Sequence, residues 1–184
     1  MKMEKEREVS IYEILDAREK RVERQKHLIE RYKQPIICFM LNIPGAVKTS
    51  EKYEMAFRFG ISKIFDKLEH YSLESRATEI FMPVTGYEAY FSVKENAYKI
   101  KEIVSQIEEE GKIGRLFDID VIDLDGRKVS REDINREPRK CLLCGKNAYL
   151  CARSRTHSVK SMLQYIDQVL NGIEDEGEIY GIHK

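Results

Sequence analysis

The sequence predicts an α+β fold in which one antiparallel sheet carries helices on one face. Three observations carry that prediction. Apolar residues switch between helical and strand spacing in the order helix, strand, helix, strand, strand, helix, strand along residues 10–124. The two middle strands meet across a tight break at Thr85-Gly86, and the last runs into Asp125-Gly126, a strong hairpin signal. From residue 35 onward the order is β-α-β-β-α-β, the split βαβ or ferredoxin-like arrangement.

Taken in order, the first element is a helix over 10–33. Ser10 and Glu13 have the spacing of a capping box, in which each side chain satisfies a free amide at the helix start. Ile11, Ile14, Leu15, Val22 and Ile29 recur at helical spacing and predict the inward face. Arg18 and Gln25 share that face, with Arg21 at its edge. An arginine there needs an anionic partner, because a lone charge is costly to desolvate. PIICFMLNIPG, residues 35–45, is an apolar run of strand length ending in a Pro-Gly break. A helix over 51–70 follows, with Tyr53, Ala56, Phe57, Gly60, Ile61, Ile64, Phe65 and Leu68 on one face. Strands are expected over 77–84 and 87–93, a helix over 95–110 with Ala97, Ile100, Ile103, Val104 and Ile107 inward, and a strand over 115–124. Residues 35–130 thus make the α+β core. The remainder holds a polar loop, a Cys/His segment within 139–172 that includes a helix near 157–172, and a polar tail. That remainder is too short for a separate domain unless a metal holds it together, so residues 1–184 read as a single domain.

Composition excludes several function classes. Thirty-two basic residues balance 32 acidic ones, so no global field favours nucleic acid or a membrane surface as partner. The longest apolar run, Pro35 to Leu41, is strand-sized and too short to span a bilayer. The charged start MKMEKEREVS lacks the apolar segment of a signal peptide, and a cytoplasmic location is expected. In a reducing compartment the four cysteines fit metal binding, chemistry or core packing better than disulfides. Cys38, alone in an apolar run, reads as a core residue.

The sharpest chemical feature is Asp118-Ile119-Asp120-Val121 on the last core strand. Side chains alternate across a strand, so Asp118 and Asp120 share one face while Phe117, Ile119 and Val121 share the other. Adjacent carboxylates repel unless a cation lies between them. Magnesium, which takes one or two carboxylates plus substrate phosphate oxygens, meets that need, and phosphoryl and nucleotidyl transfer use it to neutralise leaving diphosphate. The alternative is an exposed strand face with two solvated acids. Arg115 before the strand and Lys48 after the Pro44-Gly45 break could converge to hold phosphates.

Cys141, Cys144, Cys151 and His157 form a C-x2-C-x6-C-x5-H series, a ligand set for closed tetrahedral zinc. Buried thiols with His157 merely contacting the next helix are the alternative, and a catalytic cysteine is a third. Arg153 and Arg155 precede the last helix, where they make either an anion site or a solvated basic turn.

These strings together resemble the citrate lyase holo-acyl carrier protein synthase family, the apo-citrate lyase phosphoribosyl-dephospho-CoA transferases. The resemblance runs through LDAREKRVERQ (15–25), IPGAVKTS (43–50), GRLFDIDV (114–121), SRED (130–133), RKCLLC (139–144) and CARSRTH (151–157). GRLFDIDV followed by CLLC is its specific part. It implies transfer of a phosphoribosyl-dephospho-CoA unit from triphosphoribosyl-dephospho-CoA to a serine of the apo-acyl carrier subunit of citrate lyase, with diphosphate leaving. It also implies Asp118 and Asp120 as holders of magnesium, with Arg115, Lys48, Arg18 and Arg21 binding the triphosphate. Asp133 or His157 is a candidate general base. One departure is that the Gly-Ser or Gly-Gly turn of polymerase-beta-type nucleotidyltransferases is absent from SQIEEEGKIG, residues 105–114. Two other readings are the same transfer to another carrier protein, such as that of malonate decarboxylase, and a zinc-knuckle module binding nucleic acid. Balanced charge and the paired aspartates oppose the second.

Overall fold

The computed structural model describes residues 6–175; residues 1–5 and the polar tail from 176 onward lie outside them. Helix α1 spans Ile11–Tyr32 and begins at the expected capping box, with Glu13 N donating to Ser10 Oγ and Ser10 N donating to Glu13 Oε2. It stops where Lys33 takes the left-handed conformation (φ 52°). Strand β1, Ile36–Leu41, leads through the Pro44-Gly45 break to α2, Glu51–His70, capped by Ser50. Then come β2 (Ser75–Phe81), β3 (Glu88–Val93), α3 (Ala97–Glu109), a one-turn helix α4 (Gly111–Gly114) and β4 (Phe117–Ile122). The Asp125-Gly126 turn forms and returns as a two-residue strand β5, Lys128–Val129, where the sequence predicts only a polar loop. A 3-10 turn (Glu132–Ile134), α5 (Ala148–Arg153) and α6 (Val159–Asp175) complete the described residues.

The fold is α+β. Its five strands lie in the order β2-β3-β1-β4-β5, every adjacent pair antiparallel. Strand periodicity divides β1 between two layers. Ile37 and Phe39 enter the main core, in which α2 and α3 supply Phe57, Ile64, Ile100 and Val104 and α6 adds Ile166 and Leu170. Close packing there leaves no slack: Phe39 stacks on Phe57 at 5.2 Å between centroids and meets Phe117 edge-on at 5.3 Å. The phenyl ring of Phe39 also occupies the space beside Gly60, where an added Cβ would lie 2.2 Å from its Cζ.

Ile36 and Cys38 point the other way, into a smaller cluster with Leu28, Ile29, Tyr90 and Ile122 beneath α1. Cys38 is therefore the core residue expected of it. The face of α1 is rotated from the predicted one. Ala17, Leu28 and Ile29 are buried, whereas Ile11, Leu15 and Val22 are 65%, 46% and 48% exposed. The physical reason is polar: Arg21 and Arg24 turn towards the sheet to reach a buried carboxylate, and the helix seats on that contact. Among the described residues, no helix is long and apolar enough to cross a membrane.

Candidate functional site: paired aspartates under an arginine-bearing helix

The α1-side face of the sheet carries a row of chemically active side chains. Register places Glu88 of β3 and Asp118 of β4 on either side of Met40 of β1. One row further along, Tyr90 and Asp120 flank Cys38. Asp118 and Asp120 thus share a face, as the alternation predicts, while Phe117, Ile119 and Val121 are buried on the other.

Glu88 is 2% exposed and faces two arginines and a tyrosine hydroxyl. Arg24 Nη1 lies 2.6 Å and Arg21 Nε 3.1 Å from its oxygens, and Tyr90 donates its hydroxyl at 2.7 Å. Arg24 is also stacked over Phe81, 3.6 Å from the ring centroid. A charge this deep is tolerable only with such partners, so Glu88 fixes the roll of α1 on the sheet. Burial and the Glu88 carboxylate raise the Tyr90 pKa, which keeps its proton available for that bond.

The fixed helix overhangs a cleft of about 180 Å³ lined by Arg18, Arg21, Asn42, Lys48, Thr85 and Asp118, among others. Arg18 is exposed and has no hydrogen bond or ion pair among the described residues. Lys48 is delivered by the loop after β1, which the chain before α1 holds in place through Val9 N to Ala46 O at 3.0 Å and a Glu8–Val47 bridge. Its ammonium donates to Ile43 O at 2.5 Å, and burial, then the charges of Arg18 and Arg21, depress its pKa. Three cations facing one small cleft make a site for an anion.

Asp118 lines the cleft with these cations, and Asp120 lies two residues further along the same strand face. Burial first, and then the charge of Asp120, raise the Asp118 pKa even though Arg139 lies 2.7 Å from its Oδ1. Asp120 is paired with Lys128 at 2.6 Å. Burial works against the charge on Lys128, but Asp120 outweighs it and the lysine pKa rises. Two carboxylates on one strand face offer the oxygen ligands that a hard divalent ion takes. Sequence reasoning missed Glu88, Lys128 and Arg139, because their roles arise only when distant segments meet.

The outer edge of β4 has unusual cover. The two-residue β5 pairs only with Val121 and Ile122, so upstream backbone groups lack a ladder partner. Side chains replace it. Buried Lys101 donates to Ile119 O at 2.6 Å, and Glu108 Oε1 accepts from Ile119 N at 3.0 Å. Glu108 is itself held by Arg131 at 2.6 Å. Arg139 Nη2 donates to Phe117 O at 2.5 Å and to Arg115 O at 3.3 Å.

Arg139 belongs to the segment that carries the cysteines. There Cys141 N donates to Lys146 O and Gly145 N to Cys141 O, forming a tight turn with Gly145 at φ 71°. Asn147 caps α5 and so places Cys151; Arg155, at φ 48°, turns the chain to bring back His157. The ligand atoms of Cys141, Cys144, Cys151 and His157 lie within 4.8 Å of one another. This group could hold a metal ion. His157 Nε2 is buried without a hydrogen-bond partner, which is the state a metal would relieve.

The structure separates other expected site residues from the cleft. Arg115 turns away to donate to the Cys141 carbonyl and lines a second cavity of about 620 Å³. Asp133 accepts from Ser130 N and pairs with Arg127, capping its own turn, and its pKa is lowered mainly by the Ser130 amide. Arg153 and Arg155 are exposed at the end of α5 and line neither of these cavities.

Comparison with known proteins adds to this geometry. The family described as apo-citrate lyase phosphoribosyl-dephospho-CoA transferase matches residues 9–173. A "Probable apo-citrate lyase phosphoribosyl-dephospho-CoA transferase" of Vibrio cholerae is 35% identical over 162 residues, covering 88% of this chain and 91% of that protein. The Escherichia coli O157:H7 protein named "Apo-citrate lyase phosphoribosyl-dephospho-CoA transferase" is 31% identical over 90% of this chain and 91% of its own length. "Protein CitXG" of Haemophilus influenzae is 32% identical, with the match spanning 35% of that longer protein.

Proposed function

The chain belongs to the apo-citrate lyase phosphoribosyl-dephospho-CoA transferase family, and on that premise we propose that it loads the acyl carrier subunit of citrate lyase with its prosthetic group. The donor is triphosphoribosyl-dephospho-CoA. The acceptor serine oxygen attacks the phosphorus nearest the ribose, the bond to diphosphate breaks, and a phosphodiester remains. The observation that carries this reading is the cleft in which Arg18, Arg21 and Lys48 face Asp118. At about 180 Å³ it is smaller than the roughly 300–1,000 Å³ of a site enclosing a drug-sized ligand, which suits the phosphate-bearing end of the donor.

In this reading Arg18, Arg21 and Lys48 bind and orient the triphosphate, and Glu88 holds Arg21 in place. Asp118 and Asp120 hold magnesium, which supplies charge neutralisation for the departing diphosphate. Arg115 acts at one remove, through the Cys141 carbonyl. Zinc is the metal we assign to Cys141, Cys144, Cys151 and His157. A tetrahedral zinc with bonds of about 2.0–2.3 Å spaces its ligands roughly 3.3–3.8 Å apart, and Cys144 Sγ and Cys151 Sγ are 3.5 Å apart. The strand order supports a ferredoxin-like core within one transferase domain over 1–184, extended by α1 and by the Cys/His segment. A cytoplasmic setting follows from an acceptor that is a metabolic carrier protein. Nucleic acid is not favoured as a partner, because 32 basic residues are balanced by 32 acidic ones.

The test is diphosphate release from the triphosphoribosyl donor in the presence of magnesium and apo-carrier. Release equal to the carrier present, and none without carrier, is expected. Release with the carrier of malonate decarboxylase alone would reassign the acceptor, and release with neither would remove the activity.

A further inference from the structure

We propose that the Cys/His metal centre is a latch that sets the position of Asp118, acting through Arg139 as a positioning residue. The inference rests on the transfer reaction proposed above and concerns the regulation of that same site. It begins from a defect in the sheet. Strand β4 carries both aspartates, yet among the described residues its outer edge upstream of Val121 has no neighbouring strand. A strand lacking a ladder on one side frays unless other groups occupy its free amides and carbonyls.

Arg139 occupies two of those carbonyls, Phe117 O and Arg115 O, and with its other terminal nitrogen holds Asp118 Oδ1 at 2.7 Å. One planar guanidinium therefore ties a backbone edge and a site carboxylate into fixed relation. What holds Arg139 is the turn beside it. Its own carbonyl accepts from Ala148 N at 2.8 Å, Lys140 bridges to Asn147, and Cys141 follows two residues later. The tie is reciprocal, since Arg115, just before β4, donates to the Cys141 carbonyl. Two arginines thus clasp the start of β4 and the first cysteine of the metal set from both sides.

Little else secures the cysteine segment. Between Arg139 and His157, before α6, only partly buried Leu142 packs against the main core, while Tyr149 and Leu150 are 67% and 61% exposed. A segment with so thin a core depends on its metal for order. Metal at the four ligands keeps the turn, the turn aims Arg139, and Arg139 fixes Asp118 beside the cleft. Loss of the metal releases the clasp while the main core beneath α2 and α3 stays packed.

The experiment uses the full chain, zinc-loaded and stripped with a chelator under reducing conditions, the chelator then being removed before magnesium is supplied. Wild type and Arg139→Gln are compared by zinc content, by turnover and KM with the triphosphoribosyl donor, and by hydrogen exchange. One zinc per chain is expected. Stripping should lower wild-type turnover at least tenfold, reversibly, with a smaller change in donor KM. Arg139→Gln should lose turnover to a similar degree while keeping its zinc, and stripping the variant should cost less than a further twofold, since both changes break one linkage. Exchange should quicken over residues 115–120 on stripping and stay unchanged over Glu88–Val93. Failure to bind zinc, full activity after stripping, losses that multiply in the stripped variant, or loosening of the whole sheet would each overturn the latch. If zinc-loaded wild type transfers nothing, the proposed reaction fails instead, and the exchange arm still decides the latch.

Discussion

The proposed function puts the chemistry on two side chains of one strand, Asp118 and Asp120. Replacing either with asparagine should lower transfer at least about 100-fold, the scale of losing a preorganised charge contact at a reacting phosphate. The fold should survive. Burial and Asp120 already disfavour the charged form of Asp118, so a neutral amide there removes repulsion, and an unchanged or higher melting temperature is expected. Lys48→Met should raise KM for the donor about tenfold, one charge-assisted contact worth about 1.4 kcal/mol, with a smaller effect on turnover. Steady-state kinetics separates the two. The shared face of the aspartates was readable from Asp-x-Asp because strand periodicity is two. Their partners were not: Arg139 reaches Asp118 across 21 residues of sequence, a distance no local pattern encodes. Arg115 illustrates the converse, a cation adjacent in sequence to the aspartates whose backbone turn aims it at Cys141 instead.

Elements were legible where one force dominates. Helix α2 matches its predicted bounds, though Phe65 of its expected inward face is 43% exposed and Tyr53 is half-buried; on α3 every inward residue expected is buried, because apolar periodicity alone decides that face. In α1 two forces compete. Its apolar residues predicted one face, and the pull of Glu88 on Arg21 and Arg24 selected another. The start of α1 supplies a pH test. The hydrogen bond from Arg7, then those from Ser10, hold the Glu13 carboxyl down to about 2, well below the ordinary glutamate value of 4.5. Its contribution to stability is therefore present above 4.5 and lost as pH falls towards about 2. Urea melts around pH 5 and pH 3 should show that loss in wild type and a smaller one in Glu13→Gln. Ser10→Ala should cost about 1 kcal/mol at neutral pH. Gly60→Ala, which drives a Cβ into Phe39, should cost about 1–3 kcal/mol by the same melts.

Across the whole molecule, the sheet is a platform with unequal faces. One face is closed by α2, α3 and α6 and supplies stability; the other carries α1 over a smaller cluster and leaves Asp118 open at the cleft. The proposed donor site, the two aspartates and the proposed latch at the Cys/His segment all meet along β4. The measurement that bears most directly on this account is intact-mass spectrometry of the apo-acyl carrier subunit after incubation with magnesium, triphosphoribosyl-dephospho-CoA and either wild type or Asp118→Asn. The account predicts a mass gain equal to donor minus diphosphate with wild type and none over the same time with the variant. No gain with wild type while a control synthase loads the same carrier, or an equal gain with the variant, would contradict it.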